Sequence, residues 1–513
     1  MRNINTRDEN KINESTVLTE KFSQDSFYSF LWLFSFRLTS IIGSIIIAFY
    51  LTAEYYGIYS IINSWGFFLA AICTFGLPDI ITKIIAENRI KNPKKNRNFI
   101  LSSNFIIFLI IGIVVIISIF TNRIFSIGIY NTPIFEILLY LILIKVIFST
   151  IFTINQNVLR GFRQYKIIAI FLISGYAIKI PLLIISLIFF GLYGIFYTEI
   201  IINIVIFFLI ALKTHSLLKG LEKESFKFEI LEIKSLLKQS FPLFFVTLMT
   251  LLLNWLSLTI FSIYTSYKDV SYFQISFNVM NLILLISFSL SMALLPEITE
   301  KKENNIKDFQ LISEKLLKLN SLLTTLSIIF VIFFFPLIIK LFYPTYDSLI
   351  TFQSAIILSP FIFFNSYFLI SNQILIVKEK TLIIFIINLL YFALFVPFLY
   401  ILVISFLNMG LPLTFLIINL IFFPIYIFVL NKNGIKDLKA VIILGILNIL
   451  IFIIVYYFLL LFIFQMFLTW VFFASIIFLF TLIVSVFIIK KDENCVSYIK
   501  NLLKFFGGIK SKE

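Results

Sequence analysis

Histidine and cysteine are nearly missing from this chain of 513 residues, which holds His215, Cys73 and Cys495 and no others of either type. A single imidazole excludes a histidine-cluster metal site and most histidine-based acid–base chemistry. Two thiols make neither a disulfide framework nor a thiolate metal site. Charge is scarce as well. Only 13% of residues are charged and 60% are hydrophobic, whereas a soluble domain has about 25% charged residues. Mean hydropathy is +1.05. Long extramembrane connections are lacking too, so no separate soluble domain is expected. Catalytic residues, a metal and a cofactor are not expected either. What remains is an all-α polytopic membrane protein, whose helices meet lipid rather than water.

A spanning helix needs about 20 mostly apolar residues. That rule predicts fourteen spans. Six lie near 27–51, 57–82, 99–121, 132–159, 167–189 and 192–212. Six more lie near 240–263, 270–297, 319–342, 348–376, 381–406 and 410–431, and two near 439–463 and 466–489. The first run is long enough to be a retained helix, and no signal-peptide pattern precedes it. Lys and Arg collect in the N-tail, in the even-numbered connections and in the C-tail. The odd-numbered connections hold only Arg123, Lys268 and Lys340. Cytoplasmic loops gather Lys and Arg, so both termini are expected in the cytoplasm. The net charge of +15 is therefore a topology signal. It is spread over many short loops and does not form a nucleic-acid surface.

The chain repeats itself about half a length apart. Glu54 opens a segment that runs to Phe75–Lys83, and Asp269 opens one that runs to Met292–Glu300. Asn63 matches Asn278, and Leu77, Pro78, Asp79 match Leu295, Pro296, Glu297. Asn155–Arg163 matches Ser371–Glu379 at nearly the same spacing. Six spans separate the copies, so both are expected to run the same way, as a parallel repeat. The predicted organisation is an N-tail (1–26), a first six-helix bundle (27–213), a linker (214–239) and a second bundle (240–431). Two extra spans (432–490) and a C-tail (491–513) complete it. A half-length repeat in an apolar chain is the mark of a transporter built from two similar bundles.

Glu54-Tyr-Tyr-Gly-Ile-Tyr-Ser followed by Phe75-Gly-Leu-Pro resembles the first two helices of the polysaccharide-transport flippases. These share a superfamily with the lipid II flippases and the multidrug and toxin extrusion transporters. Leu159-Arg-Gly-Phe-Arg, Leu294-Leu-Pro-Glu and Phe342-Tyr-Pro-Thr-Tyr resemble the same group, over roughly 27–431. The resemblance implies a flippase in the bacterial cytoplasmic (inner) membrane. Its cargo would be an undecaprenyl-diphosphate-linked oligosaccharide, moved outward for O-antigen, capsule or a similar polymer. Partners would be this lipid-linked sugar, membrane lipids, and glycosyltransferases and a polymerase of the same pathway. Many relatives carry an acidic residue in span 7. Here that segment reads Leu253-Asn-Trp-Leu-Ser-Leu, so no cation-coupling role carries over to it. The alternatives are a multidrug exporter or lipid II flippase of the same superfamily, and a membrane glycosyltransferase or polymerase. The exporter wants carboxylates in its core, and the enzyme wants a large outer loop or a catalytic histidine.

Five ionisable residues lie clearly within spans, away from their ends or turn motifs: Arg37, Glu136, Lys145, Lys179 and Glu199. All lie in the first copy. A charge at membrane depth faces a cavity or a partner, because insertion alone is unfavourable by about 3 kcal/mol. Arg37 and Lys145 are candidate diphosphate ligands. Lys179 and Glu199 flank the short turn at Gly191 at similar depth, so they are expected to pair or to share a cavity. Glu136 reads as interfacial. Asn63, Asn254, Asn278 and Asn281 are candidates for binding sugar hydroxyls or for joining helices. Trp65 and Trp255 are candidates for stacking on sugar rings, and Asp79 and Glu297 for bridges to nearby lysines.

Overall fold

The computed structural model describes residues 5–91, 95–219, 230–290 and 306–462, and these are almost entirely helical. The chain divides into two compact units, Met1–Leu256 and Ser257–Glu513. In the first, α1 (Asn5–Tyr50), α2 (Ala53–Thr74), α3 (Leu77–Lys91) and α4 (Lys95–Arg123) lead through a π-helical turn (Ile124–Ile129) to α5 (Ile134–Gly161). Then come α6 (Tyr165–Phe190), α7 (Leu192–Lys219) and α8 (Ile230–Tyr264), within which the division falls. In the second, α9 (Tyr267–Asn281) is followed by a helical stretch at 284–290 (α10). The remainder is α11 (Ile306–Phe342), α12 (Ser348–Val377), α13 (Thr381–Phe406), α14 (Gly410–Lys432) and α15 (Lys439–Phe462).

Among the described residues, 12 stretches are long and apolar enough to cross a membrane. One of them, Thr381–Lys432, has 52 residues and comprises α13 and α14, which pack on each other. As one straight helix it would measure ~78 Å, against ~30 Å for a bilayer core, so it makes two crossings. The expected last span, 466–489, lies outside the described residues, as does the Leu295-Pro-Glu297 copy of the repeat. Large apolar side chains stand exposed in rows, for example Phe105, Phe108, Leu109, Ile116 and Phe120 along α4. Such a surface suits lipid and not water.

The repeated acids have a local cause. Thr52 caps α2, whose first turn holds Glu54. Ser266 caps α9 in a capping box with Asp269, each side chain bonding the other's backbone N–H. Acids there complement the positive end of the helix dipole. The expected span at 57–82 falls within one membrane-length stretch, Ala53–Asn88, but not as one helix: Phe75 and Gly76 take φ of 46° and 65°, and the chain re-enters a helix at Leu77.

A second set of echoes lies 216 residues apart. Arg163 and Glu379 (163 to 379) both end a helix with positive φ, 56° and 61°. Pro181 sits inside α6 and Pro397 inside α13. Gly191 and Leu407 turn the next hairpin with φ of 53° and 45°. Thr198 Oγ1 donates to Gly194 O at 2.9 Å, and Thr414 Oγ1 to Gly410 O at 2.7 Å. Asn203 donates to Glu199 O at 2.7 Å, and Asn419 to Phe415 O at 2.8 Å. Packing follows suit: α5 lies on α2, α4 and α7 in the first unit, and α12 on α9, α11 and α14 in the second.

Candidate functional site

Close helix contacts in the first unit build the site. At the α6–α7 hairpin a Cβ on Gly194 would lie 2.1 Å from Ser186 O, so only glycine lets the helices approach. Between α2 and α5 a Cβ on Gly66 would lie 2.5 Å from Ile142. Small residues serve this purpose in membrane helices, where van der Waals contact drives association. The first contact sets Lys179 level with Glu199. The second sets Asn63 beside Lys145.

Four of the candidate residues meet there: Lys145, Lys179, Glu199 and Asn63. Lys145 Nζ lies 2.6 Å from Glu199 Oε2, and Lys179 Nζ lies 3.3 Å from Glu199 Oε1. Lys145 Nζ also donates to Asn63 Oδ1 at 2.8 Å and stands 5.4 Å from the centre of the Phe67 ring. Side-chain exposure is 10% for Glu199, 13% for Lys145 and 25% for Lys179. Each carboxylate oxygen thus has its own ammonium group. With two lysines to one glutamate, the cluster carries one surplus positive charge in a low-dielectric setting. A surplus of this sign attracts an anion and disfavours a cation.

The Lys179–Glu199 pair was legible from its depth on either side of Gly191. The shorter Lys145–Glu199 pair was not, because α5 and α7 are two helices apart in sequence. Their one shared signal was that both residues are charged within a span. Arg37 lies on α1 with its side chain exposed. Asn254 is partly buried on α8, and Asn281 is partly buried as the last residue of α9. Asn278 Oδ1 accepts from Gln274 on its own helix at 3.0 Å. Glu136 is partly buried in the first turn of α5, and its carbonyl accepts from Asn122.

The tryptophans are packed on each other. Trp65 and Trp255 have ring centroids 4.5 Å apart, and Phe125 lies 4.9 Å from Trp65. Trp255 Nε1 donates to the Tyr130 hydroxyl at 3.1 Å. Asp79 faces Arg160 at 4.0 Å, not a lysine, and Arg160 also donates to Asn157 Oδ1 at 2.9 Å. Among the described residues, no group of three or more His, Cys, Asp or Glu side chains is placed to hold a metal.

The fold defines a class first: a multi-pass membrane protein, helical throughout its regular described elements, whose architecture is similar to that of solved transporters of the MOP superfamily. A solved structure of "Lipid II flippase MurJ, inward closed conformation" superposes with a TM-score of 0.68 at 20% identity, over 91% of this chain and 99% of that one. A multidrug resistance MATE family transporter of that superfamily, inward-facing, gives 0.66 at 14% identity, over 79% and 95%. A MOP superfamily transporter from Pyrococcus furiosus gives 0.61 at 12% identity, over 82% and 96%. At these identities the likeness is one of fold. No curated protein matches the chain by sequence. Residues 22–302, more than half the chain, match the family described as "Polysaccharide biosynthesis protein", and the chain belongs to that family.

Proposed function

We propose that the chain is a flippase carrying an undecaprenyl-diphosphate-linked oligosaccharide from the cytoplasmic to the outer leaflet of the bacterial inner membrane, for O-antigen, capsule or a similar polymer. The observation that carries this reading is the membrane-embedded Lys145–Glu199–Lys179 cluster with its surplus positive charge. A diphosphate headgroup is an anion of the kind such a cluster attracts. Membership of the polysaccharide biosynthesis family and the flippase fold support it. In this reading both termini are cytoplasmic and two six-helix bundles of like orientation alternate access. Arg37 adds a phosphate contact, and Asn63, Asn254, Asn278 and Asn281 bond sugar hydroxyls. Glycosyltransferases and a polymerase work on either side of the step, and the chain itself makes or breaks no bond.

An inside-negative potential drives an anion outward by about 2.3 kcal/mol per charge per 100 mV. Vesicles with a clamped potential and a labelled prenyl-diphosphate oligosaccharide test the proposal. Protein-dependent translocation that accelerates with potential supports it. Translocation of lipid II alone, or of an organic cation with no movement of the sugar lipid, overturns it in favour of the corresponding rival.

A further inference from the structure

The charged cluster has an uncharged counterpart. At the spacing of 216 residues, Lys145 corresponds to Phe361 (145 to 361), Lys179 to Phe395 and Glu199 to Phe415. The contacts correspond too. Phe415 is the hub of a ring cluster, 4.9 Å from Phe361 and 5.1 Å from Phe395. Glu199 is the hub in the first unit, touching both lysines. One helical frame therefore closes with three phenylalanines in one place and with three charges in the other. Apolar residues of similar volume often match or exceed a buried ion pair in stability. Packing alone thus gives no reason for the charges.

The two lysines are not equivalent. Lys145 is held by Glu199 and Asn63 and is 13% exposed. Lys179 is 25% exposed, its contact to Glu199 is longer at 3.3 Å, and among the described residues that carboxylate is its one polar partner. An ammonium group has three N–H donors, so Lys179 has donors to spare.

We propose that Glu199 is a resident counter-ion. In the unloaded protein its carboxylate stands at Lys179 where a phosphate oxygen of a prenyl diphosphate binds, and the incoming anion displaces it while Lys145 retains it. Lys179 is then the ligand-facing cation and Lys145 the anchor. The carboxylate returns to Lys179 when the headgroup leaves, which keeps the site from holding its anion too tightly. This inference rests on the flippase reading above.

The test is binding of farnesyl diphosphate to the purified full chain in detergent, with farnesol as the phosphate-free control. Glu199→Gln should bind farnesyl diphosphate about tenfold tighter than wild type, the worth of one charge-assisted hydrogen bond no longer competed for. Lys179→Ala should lose the preference over farnesol. Should Glu199→Gln not fold, the Lys145→Met/Glu199→Leu pair removes the carboxylate together with its anchor, and it too should bind more tightly than wild type. Unchanged or weaker binding on loss of the carboxylate overturns the counter-ion role alone. Wild-type protein that binds farnesyl diphosphate no better than farnesol overturns the anion site, and the flippase reading with it.

Discussion

Lys145→Met removes the ammonium group while keeping most of the side chain's apolar length. The lost contacts are the 2.6 Å ion pair to Glu199 Oε2 and the 2.8 Å hydrogen bond to Asn63 Oδ1. Glu199 is 10% exposed, so its second oxygen is left with little water and no cation. Removing one partner of a buried pair destabilises by about 3–5 kcal/mol. Lys179 stays on the other oxygen, which puts the expectation at the lower end, about 3 kcal/mol. Adding Glu199→Gln to Lys145→Met removes the stranded charge. The double variant should therefore regain about 2 kcal/mol relative to the sum of the two single changes, a coupling in the range of directly touching residues. Thermal unfolding can be followed with a thiol-reactive dye, because Cys73 is 1% exposed in the folded protein. A Cys495→Ser background removes the other thiol. Strictly additive effects would refute the reasoning that Lys145 and Glu199 form one electrostatic unit.

Four other changes probe the helical frame of the two units. Gly194→Ala and Gly410→Ala each drive a Cβ into backbone, 2.1 Å from Ser186 O and 2.4 Å from Val403 Cα. Each should destabilise by about 1–3 kcal/mol, the usual effect of overpacking, read as a lower unfolding temperature in detergent. Trp255→Phe keeps the ring cluster and removes the donor to Tyr130, so it should destabilise by about 1 kcal/mol in the same assay. Ser266→Ala removes the cap of α9 and its reciprocal bonds with Asp269. Its expected effect is about 1 kcal/mol, with faster amide exchange in the first turn of α9.

Most helices were legible because length and hydropathy set them. The expected spans at 348–376, 381–406 and 410–431 fall within a residue of α12, α13 and α14. The break at Phe75–Gly76 was not, since an apolar run reads as continuous helix and two residues of positive φ leave no mark on hydropathy. The hairpin at Gly191 fixed the relative depth of its two helices, and so the Lys179–Glu199 pair followed from counting. Lys145 reaches Glu199 only through the packing of α5 on α7, and Asn63 reaches Lys145 only through the approach at Gly66. Neither approach is encoded by spacing along the chain. The repeat was visible through Glu54 and Asp269. Its sharper form, shared turns and hydrogen bonds 216 residues apart (194 to 410), needed backbone angles and donors to be seen.

In the proposed flippase the charges at Lys145, Lys179 and Glu199 serve anion transport and not folding. The most direct test is translocation by the Lys145→Met/Lys179→Met/Glu199→Leu variant in vesicles, beside its thermal unfolding. The expected result is an unfolding temperature at or above that of wild type and prenyl-diphosphate oligosaccharide movement no faster than in protein-free vesicles. A stable variant that moves the lipid-linked sugar at the wild-type rate would contradict it.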